Sequence, residues 1–292
     1  MVIEPLIHPK PGGVSRVSSH PDKDIYDFEV HALEASTCLY RACLASLSGG
    51  CVSGVRAGLE CYLDLVERLG LRGRNVAFGT YTLLLPLSTS IPHNRGSVED
   101  LARKARECIR GCGGYEGRLY LTILSRLAPS HLRGSYQGPL PSVWEPRPVE
   151  LWRVFERASW DLVHSELAEG YPRSLAASRL ITVLLASGSG LEDAARWALL
   201  HVLSSYGDTL IYSKYGAKAY HRALMEARSA WMLAAREGAA SALEVLDALW
   251  RPRGWNPGAA FDILAVAISL ALYPGPPKTM ERYTLERGVV GG

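Results

Sequence analysis

Apolar positions recur at three- and four-residue spacing along most of the chain, so the pattern predicts helices. Residues 24–48 carry Phe28, Ala32, Leu33, Ala35, Leu39, Ala42 and Cys43 in that rhythm and stop at Ser48-Gly49-Gly50. Residues 54–69 place Val55, Leu59, Tyr62, Leu63 and Val66 on one side, and Gly70 ends them. Residues 76–90 are apolar almost all round, which predicts a buried helix bent at Pro86. Further helices are expected near 98–110, 116–127, 148–169, 173–187, 191–206, 209–236, 239–250 and 257–273. Alternating strand patterns are scarce and no fixed repeat is present.

The pattern therefore predicts an all-α fold: a single multi-helix domain over 1–273 with buried central helices, followed by an exposed C-terminal extension, 274–292. One Pro/Gly-rich connection, 129–147, interrupts it. Such segments inside a domain often serve as lids or binding loops.

The chain has 292 residues, ample for a core. Apolar residues make up 48% and charged residues 21%, which excludes intrinsic disorder. The net charge of +3 is too balanced for a protein that lives on nucleic-acid phosphates. Only six of the 32 basic residues are Lys. The start, Met1-Val2-Ile3-Glu4-Pro5, lacks the basic flank and apolar run of a signal peptide. The longest uncharged stretch, near 76–92, falls short of the ~20 apolar residues of a span. A soluble cytoplasmic protein is expected. The six cysteines (38, 43, 51, 61, 108, 112) lack zinc-ligand spacing and are expected as buried free thiols, with disulfides only in a hyperthermophile.

Standard phosphate-binding and nucleophile motifs are absent. Ser187-Gly188-Ser189-Gly190 reads as an ordinary turn between helices. Four clusters place rigid backbone beside charge. His8-Pro9-Lys10-Pro11-Gly12-Gly13, with Arg16, combines a fixed backbone, close approach and positive charge. Asp22, Asp24 and Asp27 suit a helix N-terminus and equally suit Mg2+. Asp208-Thr209 precedes Lys214, Tyr215, Gly216 and Lys218, and on one continuous helix the two lysines would share a face. In Asn256-Pro257-Gly258 through Asp262, Asn256 is expected as an N-cap and Pro257 as the first helical residue. Gly258 is expected to leave space beneath Asp262. A carboxylate on so apolar a helix calls for a partner or a function. His31, His164, His201 and His221 fall within helices and read as structural, which leaves His8 and His20 as better candidates.

Taken in order, these segments resemble the triphosphoribosyl-dephospho-coenzyme A synthase family. The matching residues are Pro9-Lys10-Pro11-Gly12, Asp22 to Phe28, Asn75-Val76-Ala77-Phe78-Gly79, Leu127-Ala128-Pro129, Asp208-Thr209, Lys214-Tyr215-Gly216, and Asn256-Pro257-Gly258 with Asp262. Ala77-Phe78 stands where the citrate-lyase branch has His-Lys, and Val76 where it has Thr. The chain thus resembles the divergent archaeal-type branch more closely. The resemblance implies transfer of the triphosphoribosyl group of ATP to the ribose 2′-hydroxyl of 3′-dephospho-CoA, with release of adenine. It implies Asp208 and Asp262 as base and charge stabiliser, in either order. It further implies nucleotide-binding Lys10, Gly12, Arg16, Asn75, Lys214, Asn256 and Gly258, and Mg2+ held by Asp22 or Asp24. The expected partners are ATP and dephospho-CoA-like small molecules, with no nucleic acid and no membrane, and homodimer assembly is left open. Two alternatives stand beside this: an enzyme of the same scaffold acting on another phosphorylated metabolite, for example in pterin cofactor biosynthesis, or a non-catalytic helical module that binds a nucleotide or a protein.

Overall fold

The computed structural model describes residues 1–20, 22–127 and 148–273. The expected 129–147 connection, the 274–292 extension and the Ala128-Pro129 part of the middle motif lie outside the described residues. Those described form an all-α structure of twelve helices, with only isolated bridges in the 15–23 loop. A short α1 (Ile3–Leu6), which the pattern does not predict, precedes that loop.

α2 (Ile25–Arg68) opens on a capping box. The Asp24 side chain accepts from the backbone N–H groups of Tyr26 and Asp27, and Asp27 accepts from the Asp24 N–H. The helix breaks at Gly50 (φ 74°, ψ 170°), where the sequence predicts a stop, and 51–68 runs back along 25–49. His31 Nε2 to Tyr62 Oη at 2.7 Å, Arg68 to Glu34 at 2.9 Å and a Cys38–Cys61 disulfide hold the two arms together. A second disulfide, Cys51–Cys108, ties the return arm to α4 (Val98–Gly111). The expectation of free thiols therefore fails for four cysteines: the hairpin and α4 bring their Cα atoms to 5.4 and 5.7 Å, within bonding reach. Cys43 and Cys112 remain free.

α3 (Phe78–Ser90) is buried on nearly every side and carries Pro86. α5 (Gly114–Leu127) follows α4. The single helix expected over 148–169 is two, α6 (Leu151–Arg157) and α7 (Leu162–Glu169), because the Asp161 side chain takes the Val163 and His164 N–H groups and starts a new helix. α8 (Pro172–Ala186) begins where buried Glu166 accepts from the Ser174 N–H at 2.6 Å. α9 (Leu191–Tyr206), α10 (Thr209–Glu237) and α11 (Ala239–Trp250) complete the outer layer. α10 breaks at Gly216 (φ 80°, ψ 177°), so Lys214 and Lys218 do not share a helix face, contrary to the sequence expectation.

α12 (Gly258–Ala271) is the central helix. Ile263, Leu264, Val266, Ala267 and Ile268 are all buried, and α3, α8 and α9 pack around it. Each of the Ile, Leu and Val side chains contributes about 1.5–3 kcal/mol when withdrawn from water. One connected cluster of buried residues runs from Ile7 to Leu270. By length and apolar composition alone, α2 would reach across a bilayer, a candidate that the longest-uncharged-stretch criterion misses.

Candidate active site

The N-terminal ends of α3 and α12, the 8–23 loop and α7 enclose a cavity of about 330 Å3, at the small end of ligand sites. It gathers Lys10, Asp22, Asn75, Lys214, Asn256, Gly258 and Asp262 from positions spread over 250 residues of sequence. Of the predicted site residues, Gly12, Arg16, Asp24 and Asp208 are not in its lining.

Asp262 stands on the otherwise apolar α12. Thr80 Oγ1 donates to its Oδ1 at 2.5 Å. Gly79 makes the room: a Cβ there would lie 2.7 Å from the Asp262 carboxyl carbon. The space expected from Gly258 is instead closed by Leu210, whose Cδ2 would be 2.9 Å from a Cβ at that position. Burial raises the Asp262 pKa to about 7; the Thr80 bond opposes this rise, while the charges of Glu4 and Asp161 add to it.

Three of the six lysines line the same cavity. Lys10 is buried, ion-paired with Glu4, and has its ammonium 4.3 Å from the centre of the Phe261 ring and 5.7 Å from that of Phe28. Lys23 donates to the Asn75 carbonyl at 3.1 Å. Burial lowers the Lys23 pKa, and the charges of Lys214 and Arg74 lower it further, against Asp22 and Asp262. Like charges on one cavity wall attract anions. Asn75 Oδ1 accepts from the Phe78 N–H at 3.0 Å and so shapes the entry to α3, where Ala77 adopts a left-handed backbone (φ 58°). Asn256 is not the expected cap. Pro257 occupies the N-cap position, and the buried Asn256 Oδ1 has no hydrogen-bond partner among the described residues. Thr82 Oγ1 is likewise unpartnered. Buried polar atoms left unsatisfied in a cavity mark where ligand atoms belong.

A hydrogen-bonded chain lines another part of the wall. Asp161 Oδ1 accepts from His164 Nδ1 at 2.6 Å, and His164 Nε2 meets the Tyr120 hydroxyl at 3.0 Å. With Nδ1 turned to the carboxylate as donor, Nε2 is the ring nitrogen left to accept from Tyr120. Thr209 donates to Asp161 Oδ2 at 2.9 Å. Burial pushes the Asp161 pKa up, yet the bonds from His164 and Thr209 bring it below the usual value. The structural reading of His164 thus misses its place in the cavity wall. Tyr120 stacks on Phe78, and Trp160 and Val163 extend this apolar surface.

Four of the expected site residues lie outside the lining. Asp208 is fully engaged elsewhere: Oδ1 accepts from the Ile211 N–H at 3.0 Å and Oδ2 from the Ala260 N–H at 2.8 Å. It caps α10 and the first turn of α12 together. Burial raises its pKa to about 7. Arg16 bonds the Leu6 carbonyl and Glu192 on α9, because its loop turns outward. Gly12 (φ 63°) donates to Asp247 at 2.7 Å and lets the loop pass beneath the Trp255 carbonyl. Asp24 is held by its capping box. His8 and His20 also hold the loop, through Ser15 and the Gly12 carbonyl, and neither lines the cavity.

No group of three His, Cys, Asp or Glu side chains at metal-binding geometry occurs among the described residues. With Asp24 engaged, Asp22 stays at the cavity, 3.9 Å from the Lys23 ammonium. This donor set does not fit a metal ion held by the protein alone.

Sequence reasoning missed Glu4, Lys23, Thr80, Tyr120, Asp161 and His164. The scarcity of lysine was a usable signal for Lys23. Nothing in local spacing announces the others.

No curated protein matches the chain. The crystal structure of an Archaeoglobus fulgidus protein assigned as a triphosphoribosyl-dephospho-coA synthase superposes with a TM-score of 0.59, at 22% identity, over 82% of this chain and 97% of that one. At that identity the likeness shows the fold. The sequence profile named CitG, ATP:dephospho-CoA triphosphoribosyl transferase, matches residues 1–279. This chain belongs to that transferase family.

Proposed function

We propose that this chain joins the triphosphoribosyl group of ATP to the ribose 2′-hydroxyl of 3′-dephospho-CoA. The observation that carries the reading is the convergence of Lys10, Lys23 and Lys214 with Asp262 in one cavity. A polyphosphate turns the mutual repulsion of Lys23 and Lys214 into binding energy. The bond from the ATP ribose C1′ to adenine breaks, and a bond from that carbon to the acceptor oxygen forms. The transition state resembles an oxocarbenium ion, and ionised Asp262 stabilises its positive charge. Asp262 then takes the proton of the attacking hydroxyl. A pKa near 7 suits that task. Thr80 and Gly79 fix where the carboxylate stands. The Tyr120 hydroxyl, its own proton given to His164, accepts from the amino group of the purine, whose face rests on the aromatic wall; the departing adenine takes its proton from solvent, matching the one that Asp262 receives. Magnesium enters as part of the magnesium–nucleotide substrate, beside Asp22. The protein works in the cytoplasm on small molecules.

A second reading has its own observation. Ala77 and Phe78, which replace the His-Lys of the citrate-lyase branch, both line the cavity. That substitution supports a different phosphorylated substrate on the same scaffold. Calorimetry separates the two. Binding of ATP with Mg2+, strengthened by dephospho-CoA, supports the first. Silence toward ATP, with binding of another phosphorylated metabolite, supports the second.

A further inference from the structure

The outward face of the 25–49 arm is apolar. Tyr26, Val30, Leu33, Tyr40, Leu44 and Leu47 are all exposed, four of them by more than 60% (75, 65, 64 and 61% for Tyr26, Leu33, Tyr40 and Leu47). Their inward neighbours, Ala32, Ala35, Cys38 and Ala42, are buried against the rest of the fold. With exposed Thr37, the seven outward positions follow a 4-3-4-3-4-3 spacing, the seam of a two-helix coiled coil rather than the broader stripe of a helix on a globular core.

We infer that this arm is a homodimer interface in which the 25–49 helices of two copies pack antiparallel, with Thr37 on the two-fold axis. That register sets Tyr26 opposite Leu47 of the second copy, Val30 opposite Leu44 and Leu33 opposite Tyr40. Every apolar position then meets an apolar one, and polar Thr37 meets itself. The same register runs Glu34 beside Arg41 of the second copy, twice. Arg41 is exposed and has no carboxylate within ion-pair distance among the described residues, and Glu34 is half-exposed although it also bridges Arg68. Opposite charges flanking a coiled-coil seam set partner and orientation. The flanks carry acidic Asp27, Glu29 and Glu34 around a single Arg41, whereas helices that lie on membranes carry a basic flank. A second copy is therefore the occupant.

Sedimentation and light scattering of the full chain test this. The expected particle has twice the 31.9 kDa chain mass. The L33E/L44E variant is expected at single-chain mass with unchanged helicity. In case that variant does not fold, Thr37→Cys in the otherwise native chain provides an independent test: oxidation is expected to link two copies through position 37, above the background that Cys43 gives in the native protein. A native chain of single mass, a dimer that survives L33E/L44E, absence of the position-37 cross-link, or a single-mass chain that pellets with phospholipid vesicles would each overturn the inference.

Discussion

A methyl group on Gly79 would lie 2.7 Å from the carboxyl carbon of Asp262. The glycine that opens α3 and the acid on α12, 183 residues apart, are thus one device: the first residue gives up its side chain so that the second can enter the cavity. Gly79→Ala is expected to displace the carboxylate and lower kcat about 100-fold, the order of loss that a 1 Å misplacement brings. Circular dichroism should still show the native helicity. Wild-type kcat in G79A would contradict the pairing.

Asp262→Asn keeps the shape and removes the charge. Its kcat is expected to fall on the order of 1,000-fold, as loss of a principal electrostatic or basic group does. In the wild type, kcat/KM should rise as pH increases through about 7, because the ionised form works. The same titration marks stability. Because the folded pKa lies above the unfolded value, the favourable contribution is complete below about pH 4 and is lost as pH rises through about 7. The melting temperature of the wild type relative to D262N should therefore decline over that window. A constant difference would show that Asp262 does not titrate there.

Asp208 is legible as a motif, but its hydrogen-bond partners are not. An acid between Gly207 and Thr209 resembles a catalytic group in sequence; only the fold reveals that α12 delivers the Ala260 N–H to its second oxygen. The helices themselves were legible, including the stop at Gly50, because local periodicity and glycine punctuation are sequence-local. Residues 148–169 and 209–236 each read as unbroken in sequence because the break at Asp161 depends on a side-chain cap and that at Gly216 on a single backbone angle. Lys10, Asn75, Lys214 and Asp262 were placed from ordered motifs, and they converge. Glu4, Tyr120, Asp161 and His164 depend on contacts between distant helices, which no spacing encodes.

Asp208→Ala is accordingly expected to act on stability. Two buried N–H groups lose their acceptor, a loss of about 2–4 kcal/mol at the ~1–2 kcal/mol typical of a cap or buried donor. Thermal unfolding should show the drop. The folded fraction should keep kcat far closer to wild type than D262N does. Equal losses of kcat in D208A and D262N would restore a direct catalytic place for Asp208.

The lysines should divide by burial. Lys214→Ala, on the exposed rim, is expected to raise KM for the triphosphate donor about tenfold with little effect on melting, since a charge-assisted phosphate contact contributes about 1.5–3 kcal/mol. Lys10→Met leaves Glu4 buried without its cation, and breaking such a pair costs about 3–5 kcal/mol. The double variant K10M/E4Q should recover most of the stability without recovering nucleotide binding. Recovery of both would remove Lys10 from the phosphate site.

The central claim is that the lysines and Asp262 of one cavity carry out glycosyl transfer from ATP. Chromatography of a reaction holding ATP, Mg2+ and 3′-dephospho-CoA tests it most directly. The wild type is expected to release one adenine for each triphosphoribosyl adduct formed, with D262N yielding neither. Adduct and adenine formed equally well by D262N, or no adenine from the wild type under conditions where ATP binds, would contradict it.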